Sequence, residues 1–455
     1  MTEETNKSRP IMYKRPDREP WHANESVTQT IEDLMRLLDD DSTPHSTLFE
    51  VYRTLPKPRV SYLTNETIER LLRRFRVVEH KNEKSMLRYF RLMDDMSTAD
   101  IPLLLVDWNS AIAFAGRWTR TVTEEQVEAA MQIWIRLERE AELTANYVTF
   151  NILFDVATKA GKYALAEVIL KEMENRGLEQ NRFLRTSRIY FHGVKRDGEG
   201  VRRAYKELVD AGELVDTAVL NCVITSLIRA GESSAAEQIF IRMKRMSAEK
   251  SGVRQARGWR GRRDLAGLLE QAARRLRAIP ADRASVQEAT PVTPDLRTYR
   301  LLIKHHAAES GNIDRITELM TEMQSAGLAL HGSLFYHVFL GFATHGGVRY
   351  SSWTKSRLDK MWTVFLHEVE EHREVNETLT KETAEEDRGS YFDGAIAIAA
   401  LRAYDKCTTK SVVLEVWGEI LDRWKPDKRE MDRVSEALTR MSIVPTDMSD
   451  DSLPG

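Results

Sequence analysis

Cysteine is nearly missing from this chain: Cys222 and Cys407 are the only two among 455 residues. That scarcity excludes a disulfide framework and any cysteine-rich zinc site, and it suits a reducing compartment. Cys222 lies in an apolar helical pattern, where a thiol serves as core filler. Long apolar runs are absent too, since none approaches the roughly 18 residues that a membrane span needs. No glycine-rich phosphate loop and no nucleophile elbow occurs. His305 and His306 are adjacent, and adjacent residues do not share a helix face. No further His, Cys or acid stands near them at metal-ligand spacing, so they read as a surface or groove pair. The sequence predicts no catalytic residue, no metal and no cofactor, and an enzyme is not expected.

What is present is repetition. The segment from Tyr147 to Asn181, YVTFNILFDVATKAGKYALAEVILKEMENRGLEQN, can be laid on the segments starting at Arg182 and Thr217 at a period of 35 residues. Asn151, Thr186 and Asn221 then coincide, Gly161 falls on Gly231, and Ala166 falls on Ala236. In the first copy Phe150, Leu153, Phe154 and Ala157 recur at helical spacing, as do Ala166, Ile169, Leu170 and Met173 after the Ala-Gly break. Each unit is therefore a helix, a turn and a second helix, with Gly161 suited to positive φ past the first helix end. A fixed period of this length marks a solenoid whose units bury their apolar faces against one another. The predicted fold is all-α, a right-handed superhelical solenoid of antiparallel helix pairs.

The formal charge of −3 hides an uneven spread. From Lys244 to Arg277 there are eleven Lys or Arg against three acids, whereas Glu368 to Arg388 carries nine acids against three basic residues. One basic surface on an acidic protein can still meet a phosphate chain, so the local count is the informative one. Residues 1–26, with alternating charge and three prolines, read as a disordered arm whose acids match its bases, unlike an organellar transit peptide. Residues 27–106 read as degenerate helical repeats and 107–246 as clear ones, with Asn109 in the place of Asn151. Residues 247–293 hold a basic insertion, DLAGLLEQAARRLRAI within it having a helical period. It reads equally as a flap over nucleic acid, with Trp259 as a stacking ring, or as a solvated linker. A repeat and the start of another fill 294–348, degenerate helices with an acidic loop at 371–390 fill 349–443, and 444–455 is a polar tail.

The units resemble the pentatricopeptide repeat family in the VTFN opening at Val148, the KAG turn at Lys159, the Ala-rich second helix, Glu172-Met173 and the closing Gly177. The tetratricopeptide pattern of Trp, Leu, Gly and Tyr is not there. The resemblance is firm over roughly a third of the chain and looks closer to non-plant mitochondrial members. It implies binding of single-stranded RNA, one unstacked base per repeat, in mitochondrial transcript processing, stability or translation. It further implies base recognition by Asn109, Asn146, Asn151, Asn181, Thr186, Asp216, Asn221 and Asp295. By the family's two-residue code, Asn151 with Asn181 reads a pyrimidine, Thr186 with Asp216 guanine, and Asn221 with Asp295 uracil. Val148, Phe183, Ala218 and Arg297 would sandwich bases, and Lys159 and Arg229 would meet phosphates. The pattern breaks at Arg300 with His331 and at Tyr336. The deaminase extension of plant relatives is excluded by the cysteine count, and the helical C-terminus lacks the nuclease domain of a protein-only RNase P. The alternative partner is protein: a helical scaffold on the mitochondrial ribosome or another complex.

Overall fold

Each clear repeat opens where a short polar side chain stops the preceding loop and caps a helix. Asn146 accepts from the Val148 and Thr149 N–H groups at 3.0 and 3.2 Å, and Asn181 accepts from Leu184 N–H at 3.0 Å. Asp216 accepts from Val219 N–H at 3.0 Å, and Asp295 from Thr298 N–H at 2.9 Å. A cap of this kind is worth about 1 kcal/mol and fixes where the helix starts. The computed structural model describes residues 14–119, 121–249, 258–279, 282–378 and 392–443, and every regular element among them is helical.

The chain divides into two units, the first made of Met1–Leu214, Arg229–Glu232 and Trp259–Arg283. Its helices are α1 (Glu25–Asp39), α2 (His45–Thr54), α3 (Asn65–Arg76), α4 (Glu83–Thr98), α5 (Leu105–Ala115), α6 (Glu124–Arg139), α7 (Tyr147–Lys159), α8 (Tyr163–Asn175), α9 (Arg182–Val194) and α10 (Gly198–Asp210). They pack as consecutive pairs, and α5, α7 and α9 lie side by side as the first helices of their repeats. All four apolar residues expected to face inward from α7, namely Phe150, Leu153, Phe154 and Ala157, are buried. From α8, Ala166, Ile169 and Met173 join them, while Leu170 is half-buried. Gly161 has φ 73° as its turn requires, and Lys162 N–H reaches back to the Ala157 carbonyl at 2.9 Å. In the next copy Arg196 stands in that place at φ 59°, a conformation that costs a residue with a Cβ about 1 kcal/mol.

The N-terminal arm departs from expectation. Residues 1–13 lie outside the described residues, but 14–24 are docked on the first unit rather than disordered. Arg15 is buried and pairs with Asp107 and, at 2.7 Å, with Glu69. Arg18 donates to the Val60 carbonyl at 2.6 Å and to that of Leu63, and Trp21 meets Tyr62 edge to face. Local composition reads as disorder because these partners lie 41 to 92 residues away in sequence.

The insertion also departs from a plain linker. The last helix before it, α12 (Ser233–Glu249), runs on past the expected repeat end. Beyond it, α13 (Gly258–Ala278) packs on the first unit through Leu269, Ala273 and Leu276.

The second unit comprises Val215–Ile228, Ser233–Gly258 and Ala284–Gly455. It holds α11 (Thr217–Arg229), α12, α14 (Arg283–Ala289), α15 (Leu296–His305), α16 (Ile313–Ser325), α17 (Gly332–His345), α18 (Lys355–Thr378), α19 (Gly394–Cys407), α20 (Lys410–Arg423) and α21 (Lys428–Arg440). Gln287 of α14 bonds both the N–H and the carbonyl of Val215, at 2.7 and 2.8 Å, and Thr217 N–H donates to the Pro291 carbonyl at 3.1 Å. The chain thus comes back to the seam it left, which lets Asp295 close the interrupted repeat. The acidic stretch expected to be a loop from 371 is helical through Thr378, as the end of α18; residues 379–391 and 444–455 lie outside the described residues.

The adjacent histidines are buried, not a surface pair. His305 bonds Glu309 at 2.9 Å, while His306 bonds Glu237 of α12 at 2.9 Å. Glu237 also takes Arg315 at 3.0 Å. Burial opposes its charge, but the hydrogen bonds from His306 and Arg315 and their charges outweigh that and hold the carboxyl at about 2, against an ordinary 4.5. Because the folded value is depressed, this stabilisation is complete above the ordinary carboxylate range and is lost as pH falls towards 2. Glu237→Gln should lower the melting temperature at neutral pH, and its deficit against the parent should narrow below pH 4 in thermal melts across that range.

Candidate functional site

The polar residues singled out by the repeat alignment meet one another. Asn109 of α5 donates from Nδ2 to Asn146 Oδ1 at 3.4 Å, and Asn151 of α7 donates to Asn181 Oδ1 at 2.7 Å. In the second unit Asn221 of α11 donates to Asp295 Oδ1 at 3.1 Å. Each bond joins a first helix to the cap of the following one, so one arrangement recurs three times. Thr186 lies in the first unit and gives its hydroxyl to the Arg182 carbonyl at 2.9 Å; Asp216, in the second, is buried as a helix cap.

The three bonds are not equivalent. The Thr149 hydroxyl also donates to Asn109 Oδ1, and that of Thr298 to Asn221 Oδ1, each at 2.7 Å. Asn109 and Asn221 are therefore buried with both ends of the amide engaged, which corrects the expectation that they present free polar edges. The physical reason is the hydroxyl three residues after each following helix cap, at Thr149 and Thr298. Leu184 stands at the corresponding place after Asn151 and has none to give. Asn151 Oδ1 is consequently a buried acceptor without a partner, beside a side chain that is only half-buried. Thr149 and Thr298 recur at matching places in their copies, and that recurrence is the signal through which the sealed amides could have been found.

The positions expected to flank bases are mostly open. Phe183 is 44% exposed, Ala218 and Arg297 are exposed, and half-buried Val148 lines a cavity described below. Lys159 is exposed but pairs with Asp155 at 2.7 Å, and Arg117 meets the same carboxylate at 2.7 Å. Burial of Asp155 opposes its charge, yet the two cations hold its carboxyl below the ordinary range. Arg229 is exposed, with its guanidinium 5.3 Å from the centre of the Tyr190 ring.

Helix α13 crosses this same surface of the first unit. Asn181 Nδ2 donates to Glu270 at 3.4 Å, Arg274 donates to the Tyr147 hydroxyl at 3.3 Å, and Arg277 pairs with Glu213 at 2.9 Å. With six arginines against two acids, α13 brings positive charge to the face that carries Asn151 and Asn181. Its Trp259 is half-buried and lines a hollow with His45, Asn82 and Arg88. Between α13 and the first helices α5 and α7 lies a cavity of about 680 Å³ whose wall includes Arg76, Lys81, Asn109, Asn146, Val148 and Arg263. That volume falls within the ~300–1,000 Å³ of small-molecule sites. Lys81, Arg76 and Arg263 carry no periodic sequence signal; they converge only through tertiary packing. Among the described residues no group of His, Cys, Asp or Glu is arranged to hold a metal ion, and no helix is long and apolar enough to cross a membrane.

Comparison with known proteins gives a repeat-family match over part of the chain. The pentatricopeptide repeat model matches residues 148–178 and 218–247. No curated protein matches the chain. Among solved structures, the maize pentatricopeptide repeat protein PPR10 aligns at 14% identity over 90% of this chain and 55% of its own, with a TM-score of 0.34. The same protein in complex with an 18-nt psaJ RNA element aligns at 16% identity over 92% of this chain and 59% of its own, TM-score 0.32. The repeat domain of Arabidopsis thaliana protein-only RNase P 1, in complex with tRNA, aligns at 11% identity over 44% of this chain and 94% of its own, TM-score 0.30. The chain spans a little over half of the maize protein. The two repeat matches coincide with the helix pairs α7–α8 and α11–α12.

Proposed function

We propose that this chain, a pentatricopeptide repeat protein, binds single-stranded RNA along the first helices of its repeats and acts through binding, without chemistry of its own. The observation that carries the reading is the bond between a first-helix amide and the next helix cap, seen at Asn109–Asn146, Asn151–Asn181 and Asn221–Asp295 and left with an unengaged amide oxygen only at Asn151. One such polar pair per repeat is what base-by-base recognition of an unpaired strand needs. Asn151 with Asn181 is the reader best prepared for a base, because an unpartnered Asn151 Oδ1 gains a hydrogen bond without giving one up. Exposed Phe183 supplies a ring for stacking, and the basic α13 supplies charge on the same face. By family resemblance the proposal extends to mitochondrial transcripts, whose processing, stability or translation such binding would govern.

The test is equilibrium binding of the full chain to single-stranded RNA, and to a duplex of the same sequence, over a range of salt. Affinity for the single strand should exceed that for the duplex and fall steeply with salt, the slope shrinking by about 0.7 for each phosphate contact removed. Lys159→Gln and Arg229→Gln are suitable variants; Lys159→Glu would set a second carboxylate beside Asp155 and confound folding with binding. Equal binding of duplex and single strand, or binding indifferent to salt, would instead favour a protein-binding scaffold.

A further inference from the structure

We propose that the cavity between α13 and helices α5 and α7 is a binding site for a nucleotide that carries a monoester phosphate, its natural occupant being the phosphorylated end of the bound RNA strand. The second half of that statement rests on the RNA-binding reading above; the first does not.

Three cations line the cavity: Arg76 at the end of α3, Lys81 in the loop that follows, and Arg263 of α13. Among the described residues neither Lys81 nor Arg263 has a carboxylate partner. Arg76 reaches Glu69 only at 4.0 Å, and its Nη1 is buried without any hydrogen-bond partner. A buried guanidinium nitrogen left in that state costs free energy unless something accepts its hydrogen. Burial, together with the positive charges of Arg117, Arg263 and Lys159, pushes the Lys81 ammonium down to about 8. The acids nearby are already taken: Asp155 is shared between Arg117 and Lys159, and Glu69 and Asp107 both pair with Arg15.

Such an excess of cations suits a dianion better than a single negative charge. A phosphodiester within a strand carries one charge, whereas a monoester phosphate approaches two at neutral pH. The rest of the wall suits the nucleoside. Val148 and Ile152 offer apolar surface, and Asn146 offers an amide at one end. Because Arg263 arrives from the insertion, α13 serves as the second wall of the site. A helix that merely plugged the groove in place of RNA would need no surplus of arginine; α13 has six against two acids.

The test compares one short single-stranded RNA in three forms, with a 5′-monophosphate, a 3′-monophosphate or no terminal phosphate, in titrations of the full chain. Nucleoside monophosphates, assayed by the shift in thermal unfolding, form a separate arm. One phosphorylated form should bind about tenfold more tightly than the unphosphorylated strand, and nucleoside monophosphates should raise the melting temperature. Lys81→Met, which keeps the apolar stem, and Arg263→Ala, on the opposite wall, should each remove most of that preference. Lys81→Met should leave affinity for the unphosphorylated strand within about twofold, whereas Arg263→Ala, which also removes one charge of α13, should weaken both forms and the phosphorylated one by more. Equal affinity for all three forms, or a preference that survives in both variants, would overturn the proposal. If no strand binds but nucleoside monophosphates do, and Lys81→Met abolishes their effect, the cavity assignment stands and the RNA reading falls. If neither class binds, both fall.

Discussion

Replacing Arg15 by alanine is expected to destabilise the first unit by about 3–5 kcal/mol, the cost of leaving one member of a buried ion pair without its partner. Arg15 and Asp107 are both buried, and the guanidinium also bonds Glu69 at 2.7 Å and the Pro102 carbonyl at 3.2 Å. Asp107 in turn accepts the Leu104 N–H at 2.9 Å, at the start of α5. Burial already raises the Asp107 carboxyl against the pull of Arg15. Without Arg15 it should rise further. A raised folded value means stability that is greatest at low pH and lost as pH rises, so the deficit of Arg15→Ala should shrink in mild acid. The double variant Arg15→Ala with Asp107→Asn should recover part of the loss, because the buried charge is gone. Urea unfolding of the three variants at pH 5 and pH 7.5 gives the comparison. Simple additivity, with a deficit independent of pH, would mean that the arm is held by its apolar contacts instead.

The second large effect is a change of base preference. Asn151→Thr with Asn181→Asp converts the first pair to the residues found at Thr186 and Asp216, for which the family code expects guanine in place of a pyrimidine. Aspartate caps a helix as well as asparagine does, so α9 should keep its start. One side effect can be foreseen. Asn181 donates to Glu270 of α13, and an aspartate there would face that carboxylate instead. The exchange is therefore best made together with Glu270→Gln, and with that single variant as the control. A well-formed pair of hydrogen bonds to a base edge discriminates by about 1–3 kcal/mol, or roughly fivefold to over a hundredfold. The preference should move at one nucleotide and stay put at its neighbours, read by titrating RNAs that differ only there. An unchanged preference would remove Asn151 and Asn181 from the recognition set.

The helix pairs were legible because an apolar stripe of period 3.6 and a 35-residue repeat are properties of the chain itself. The closing residues Asn146, Asn181, Asp216 and Asp295 were legible as markers for the same reason, since caps sit at fixed offsets from the stripes they precede. What local pattern does not carry is partnership. That Leu184 leaves Asn151 with an unpartnered acceptor while Thr149 and Thr298 close off Asn109 and Asn221 depends on which side chain the next helix offers. The docking of Arg15, the packing of α13 and the meeting of Arg76, Lys81 and Arg263 join segments far apart in sequence. Composition alone makes such segments look like arm, linker and loop.

The most direct trial of base-by-base recognition is selection from a random pool of single-stranded RNA on the full chain, followed by sequencing of the bound fraction. The enriched sequences should share a pyrimidine followed by a guanine, in one strand direction, for Asn151 and Thr186 in turn, with no fixed base at the place of Asn221, whose amide Asp295 and Thr298 already engage. A pool enriched for composition or structure without that register, or not enriched at all, would contradict it.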